Sequence, residues 1–185
     1  SAQAGVGLAT TLVFVSVAFF RGVTSGAQSL VAAADGAGNR QRLRQAAGAA
    51  LAIGLSTGFF ATCVVLCLDA FVLDMVTQEE AVRDAASDYL SIRGYGLPVA
   101  LCSFAFMSVL QGLGDTRVRM WASIAGNATN IVLDCVLIFG FGPIPAMGAQ
   151  GAALATVAGT VVMFIIYGLR FRRVLGRPLV PALEV

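Results

Sequence analysis

From Trp121 to Phe141 the chain runs apolar for the roughly 20 residues that a helix needs to cross a bilayer, with Asp134 as the one charge inside it. Four other stretches are built alike, so spans are expected at about 5–34, 46–68, 89–113, 121–140 and 148–169. Repeated apolar blocks of that length leave one fold class: an all-α, polytopic membrane helix bundle.

Composition agrees. Only 12% of the 185 residues are charged and 58% are hydrophobic, with a mean hydropathy of +0.85. A soluble domain carries about 25% charged residues. All twelve basic residues are Arg, and there is no Lys or His, which excludes imidazole catalysis and His-ligated metal. Cys63, Cys67, Cys102 and Cys135 lie inside apolar blocks, where free Cys behaves as a small hydrophobe. They are expected to be buried, with neither disulfide nor metal site. No cofactor, no enzymatic activity and no nucleic-acid partner is expected.

Charge lies between the spans and sets their direction. Arg40, Arg42 and Arg44, then Arg117 and Arg119, then Arg170, Arg172, Arg173 and Arg177 make up nine of the twelve Arg. The segment 69–88 is acidic with Arg83 alone, and the turn 141–150 carries no charge. Under the positive-inside rule the first group faces the cytoplasm or its equivalent, and alternation holds across all five spans. Trp121, Tyr167 and Phe171 then belong to the inner interface, and Tyr89, Phe139 and Phe141 to the outer one. Thr77 to Glu80 reads as a capping box that starts a helix. Five spans that begin outside and end inside, with no Met at the start, are expected to be five of the six helices of a lobe.

Within the spans the polar residues are few. Asn130 and Asp134 stand four apart, so a helix stacks them on one face above Ala122 and Gly126. A carboxylate at membrane depth normally faces protein or water. Burial disfavours the charged form of such a group, and a nearby cation or amide favours it, which suits a carboxylate that loads and releases a proton. A structural pairing with Arg21 or Arg93 is the alternative. Arg21 is near mid-span, where it lines a cleft or pairs with an acid; Arg93 is close enough to the outer end to snorkel. Ala46, Ala50, Gly54 and Gly58 form a ridge of small residues that lets another helix approach closely. Pro98 is expected to kink its span.

Three segments carry a family resemblance: SLVAAADGAGNRQRLRQA, YLSIRGYGLPVALCSFAFMSVLQGLGDTR and GNATNIVLDCVLIFGFGPIPAMGAQGAALATV. In that order they resemble the second helix with its Gly-rich loop, the fourth helix with its QGxGDT turn, and the fifth and sixth helices of the multidrug and toxic-compound extrusion (MATE) transporters. The resemblance implies helices two to six of the N-terminal lobe of a twelve-helix transporter. It implies export of organic, often cationic compounds in exchange for H+ or Na+, across the plasma membrane of a bacterium or an organellar membrane. The partners implied are the bilayer, a small organic substrate, and the first helix and C-terminal lobe of a longer parent chain. In the branch resembling the DNA-damage-inducible F proteins, a first-helix Asp joins an Asn and an Asp of the fifth helix near a Thr of the sixth. Asn130 and Asp134 match the fifth-helix pair, and Thr156 is the candidate for the Thr. The first-helix Asp has no counterpart here.

Three rivals stand beside that expectation. A lipid-linked-oligosaccharide flippase of the same superfamily would need several Arg along a cleft, and only Arg21 and Arg93 qualify. A membrane hydrolase would need a nucleophile with a base, or a metal cluster. A non-transporting membrane scaffold would leave Asp134 without a reason.

Overall fold

The computed structural model describes residues 26–76, 80–143 and 145–176. It is an all-α polytopic membrane bundle. Helix α1 occupies 26–36, followed by α2 (Arg40–Val76), α3 (Glu80–Gly112), α4 (Thr116–Phe139) and α5 (Gly148–Leu175). Among the described residues, four segments are long and apolar enough to cross a membrane: Arg40–Cys67, Ala86–Gly112, Thr116–Phe139 and Gly148–Leu175. Most of the first expected span, and Arg21 with it, lies outside the described residues.

Local signals explain where these helices begin. Asn39 accepts the Arg42 backbone N–H at 3.0 Å and so starts α2, and Asp115 does the same for α4 through the N–H of Val118 at 3.4 Å. Asp115 also pairs with Arg170 at 2.6 Å, which ties the start of α4 to the end of α5. Helix α2 runs on past its apolar block, through Asp69 and Asp74 to Val76. At 37 residues it is about 55 Å long, against a hydrocarbon core of about 30 Å. Charged residues end a membrane span without ending a helix. The capping box falls mostly on residues 77–79, outside the described residues, and α3 starts at Glu80.

Small residues set the packing order. The ridge on α2 meets α3 antiparallel: a Cβ on Gly54 would stand 3.0 Å from the Leu101 carbonyl oxygen, and one on Gly58 only 2.6 Å from the Pro98 Cα. Pro98 sits within the continuous α3 helix and has no N–H for the Gly94 carbonyl one turn back. Thr62 of α2 supplies the missing donor, its hydroxyl reaching Gly94 O at 2.8 Å. Helices α3 and α5 run parallel, with Gly96 against Val157 and Phe106 edge-on to Phe171 at 4.9 Å. Helices α4 and α5 form the second antiparallel pair. Helices α3 and α4 scarcely touch, so α5 stands behind a gap between them. At the Arg-rich end, Val31 and Ala34 of α1 join Leu43, Ala47, Val109 and Leu175 in one cluster of buried residues.

Two expectations need correcting. Tyr167 and Phe171 do not line an interface; they are 3% and 6% exposed, Tyr167 packed with Leu110 and Ala122 and Phe171 with Phe106. Trp121, Phe139 and Phe141 are exposed as an interfacial belt requires. Of the four Cys only Cys102 is buried; Cys63, Cys67 and Cys135 are exposed. The reason is common to both. In a membrane bundle lipid-facing and protein-facing surfaces are equally apolar, so hydropathy alone cannot assign an apolar side chain to either.

Candidate functional site

The site is built at one of the places where α4 and α5 pack backbone to backbone. A Cβ on Gly159 would lie 2.6 Å from the Gly126 carbonyl oxygen and 3.3 Å from the Asn130 Cβ. Only glycine at that position lets the two backbones meet, and their contact brings Asn130 against α5. The Asn130 Nδ2 donates to the Thr156 hydroxyl oxygen at 3.4 Å, while that hydroxyl donates to Ala152 O in its own helix at 2.8 Å. Thr156 therefore meets Asn130 as an acceptor, its one proton already committed.

Asp134 lies one helical turn beyond Asn130, about 8 Å from the end of α4 at Phe139. Its Oδ1 is buried with no hydrogen-bond partner. Among the described residues no ion pair joins it to Arg93, so the pairing weighed from the sequence is not formed here. Arg21, the other possible partner, lies outside the described residues. A buried carboxylate oxygen without a donor is costly, and a proton or a cation would relieve that cost. Asn130 and Thr156 are thus joined across the α4–α5 seam, and Asp134 follows Asn130 one turn along α4.

Beside them, the gap between α3 and α4 holds a cavity of about 270 Å³ whose back wall is α5. Thr156 lines it, together with Arg93 and Ser103 of α3, Arg119 of α4, and Thr160 and Met163 of α5. The candidate site and the cavity therefore share a wall. Arg93 departs from its expected role. It does not simply snorkel but borders the cavity with its Nε buried and unpartnered. Arg119, read from the sequence only as a determinant of sidedness, borders it too. The signal for the α3 wall was present as spacing: Arg93, Gly96, Ala100, Ser103 and Met107 fall on one helix face. What it lined was not visible without knowing that α4 stands off.

A family model described as MatE matches residues 1–136, which is most of the chain. The chain belongs to the MATE family. Among its relatives is the DNA damage-inducible protein F of Escherichia coli strain K12, 32% identical over 167 residues that cover 90% of this chain and 35% of that protein. The inward-facing structure of a multidrug resistance MATE family transporter of the MOP superfamily superposes with a TM-score of 0.82 at 28% identity, over 91% of this chain and 38% of that one. The outward-facing structure of such a transporter superposes with a TM-score of 0.81 at 25% identity, over 89% and 36%. This MATE chain spans 35% of the length of the first curated relatives it matches. What it matches is part of the N-terminal lobe.

Proposed function

We propose that this chain forms helices two to six of the N-terminal lobe of a secondary antiporter that exports organic, often cationic compounds in exchange for H+ or Na+. The lobe takes the first helix, the C-terminal lobe, the lipid bilayer and a small organic substrate as its partners, and it needs no cofactor beyond the coupling ion. The observation that carries this reading is the buried, unpartnered Oδ1 of Asp134, one turn from the Asn130–Thr156 hydrogen bond. Proton and substrate cation compete for that one carboxylate. Asn130 and Thr156 hold α4 and α5 in register beside it. Near-equal TM-scores against inward-facing and outward-facing transporters support a lobe that moves as one body while access alternates around it. Names of relatives such as the probable multidrug resistance proteins YoeA and NorM support the same class of cargo.

The test is made in the full-length parent. Asp134→Asn abolishes ion-driven efflux of an organic cation while leaving expression intact. The control, Asp88→Asn, is nearly silent, since Asp88 is exposed and an amide oxygen still accepts from Gln150. Wild-type efflux by Asp134→Asn across a pH series makes Asp134 structural and ends this reading.

A further inference from the structure

The cavity between α3, α4 and α5 carries a charge pattern that the coupling residues do not explain. Two guanidinium groups border it, Arg93 and Arg119, and among the described residues no Asp or Glu does. Arg93 and Met107 bracket its α3 wall, a run of about 21 Å at 1.5 Å per residue. Between the charged ends the wall is apolar, with Leu97, Phe104 and Met163. Three of the five lining hydroxyls are already used as donors to backbone, Ser103 to Val99 O at 2.7 Å, Thr156 to Ala152 O at 2.8 Å and Thr160 to Thr156 O at 2.9 Å, while Ser123 and Tyr167 are paired with each other. The cationic groups are thus the principal donors left to recognise a guest. Of the two, Arg93 is the stronger anchor, because its Nε is buried without a partner whereas Arg119 is exposed and screened by solvent. An unpaired buried guanidinium nitrogen is costly, and a bound anion offsets that cost through a charge-assisted hydrogen bond. The volume, about 270 Å³, is close to the small end of ligand pockets, about 300–1,000 Å³.

We propose that this cavity binds an amphipathic molecule through an anionic head group held by Arg93, its apolar body lying along Leu97, Phe104 and Met163. The inference rests on the transporter reading and extends its cargo from organic cations to amphiphiles that carry a negative charge. The head group is a carboxylate or phosphate, whether on a water-soluble solute or on a lipid.

The experiment uses the purified full-length parent in detergent and a fluorescent probe, 2-anthracenecarboxylate, beside its neutral primary amide and its aminomethyl analogue. The carboxylate binds tightest of the three. Arg93→Gln weakens the carboxylate by about tenfold or more, the worth of one charge-assisted hydrogen bond, and leaves the amide unchanged. Arg93→Lys retains part of the affinity, and its unfolding temperature shows that the fold is kept. Repeating the titration in nanodiscs with phosphatidylglycerol separates the sources: competition identifies a lipid head group at the same site, and its absence a soluble guest. Equal or tighter binding of the amine, or an unchanged carboxylate affinity in Arg93→Gln, overturns the proposal. The titration reads binding with no ion gradient, whereas the coupling role is read by ion-driven efflux, so failure of the coupling role and failure of this site give different results.

Discussion

Thr62→Val tests how α3 tolerates a proline in its middle. Pro98 leaves the Gly94 carbonyl without its helical donor, and the Thr62 hydroxyl fills that place at 2.8 Å. Thr62 also reaches Gly58 O in its own helix at 3.0 Å, so its single proton is shared between two acceptors. Interhelical hydrogen bonds of this kind average about 0.6 kcal/mol and reach about 1.7 kcal/mol, while an orphaned buried acceptor costs about 1–3 kcal/mol. The shared proton argues for the overlap of those ranges, about 1 kcal/mol, or roughly a fivefold shift in the unfolding equilibrium. Valine is the right replacement because it keeps the shape and removes only the hydroxyl. The decisive measurement is a double-mutant cycle with Pro98→Ala, read by denaturant unfolding of the full-length parent in mixed micelles. Alanine restores the N–H to Gly94 O, so Thr62→Val should then cost about 0.5 kcal/mol or less, with the remainder appearing as coupling energy. An identical cost in both backgrounds would refute the account, because the hydroxyl would then be stabilising something other than the carbonyl that proline exposes.

Two further outcomes follow from the geometry. Gly159→Leu places a side chain where a Cβ alone would stand 2.6 Å from the Gly126 carbonyl oxygen; the helices part, stability falls by about 1–3 kcal/mol, and efflux falls with it, read by unfolding temperature and by transport in vesicles. With Cys63, Cys67, Cys102 and Cys135 replaced, a cysteine at Pro143 should react with an impermeant thiol reagent from outside intact cells and one at Arg42 only after permeabilisation; the reverse pattern inverts the assigned sidedness.

How much of this could be read beforehand depends on whether a residue's role is set by its own helix or by a neighbour. Helix identity is set locally, by apolar length and by the N-caps at Asn39 and Asp115. The Asn130–Asp134 pair was legible for the same reason, since a spacing of four places both on one face. Thr156 came from resemblance alone; nothing in its surroundings announces that Asn130 reaches it, because that depends on Gly159 being opposite Gly126. The ridge on α2 was legible as a contact surface, but its partner was not. That Gly58 receives Pro98, and that Thr62 repairs what the proline breaks, is a relation between two helices whose register no single-helix pattern encodes. Arg119 was misjudged on the same ground, and Arg93, weighed both as a snorkelling side chain and as a cleft residue, was left open by it. Both stand towards the ends of their spans, and the distance at which α3 and α4 stand apart gives them a common cavity.

That separation of α3 from α4 also orders how the bundle is made. With little to hold those two helices together, the described part of the lobe divides into two hairpins, α2–α3 and α4–α5, each joining neighbours in sequence. Each hairpin has its own close-packed glycine contacts, Gly54 and Gly58 in the first and Gly126, Gly151 and Gly159 in the second. The main union between the hairpins is the parallel seam of α3 on α5, where Gly96 meets Val157 and Phe106 meets Phe171. The same seam forms one side of the cavity, so the cavity exists only where both hairpins are joined.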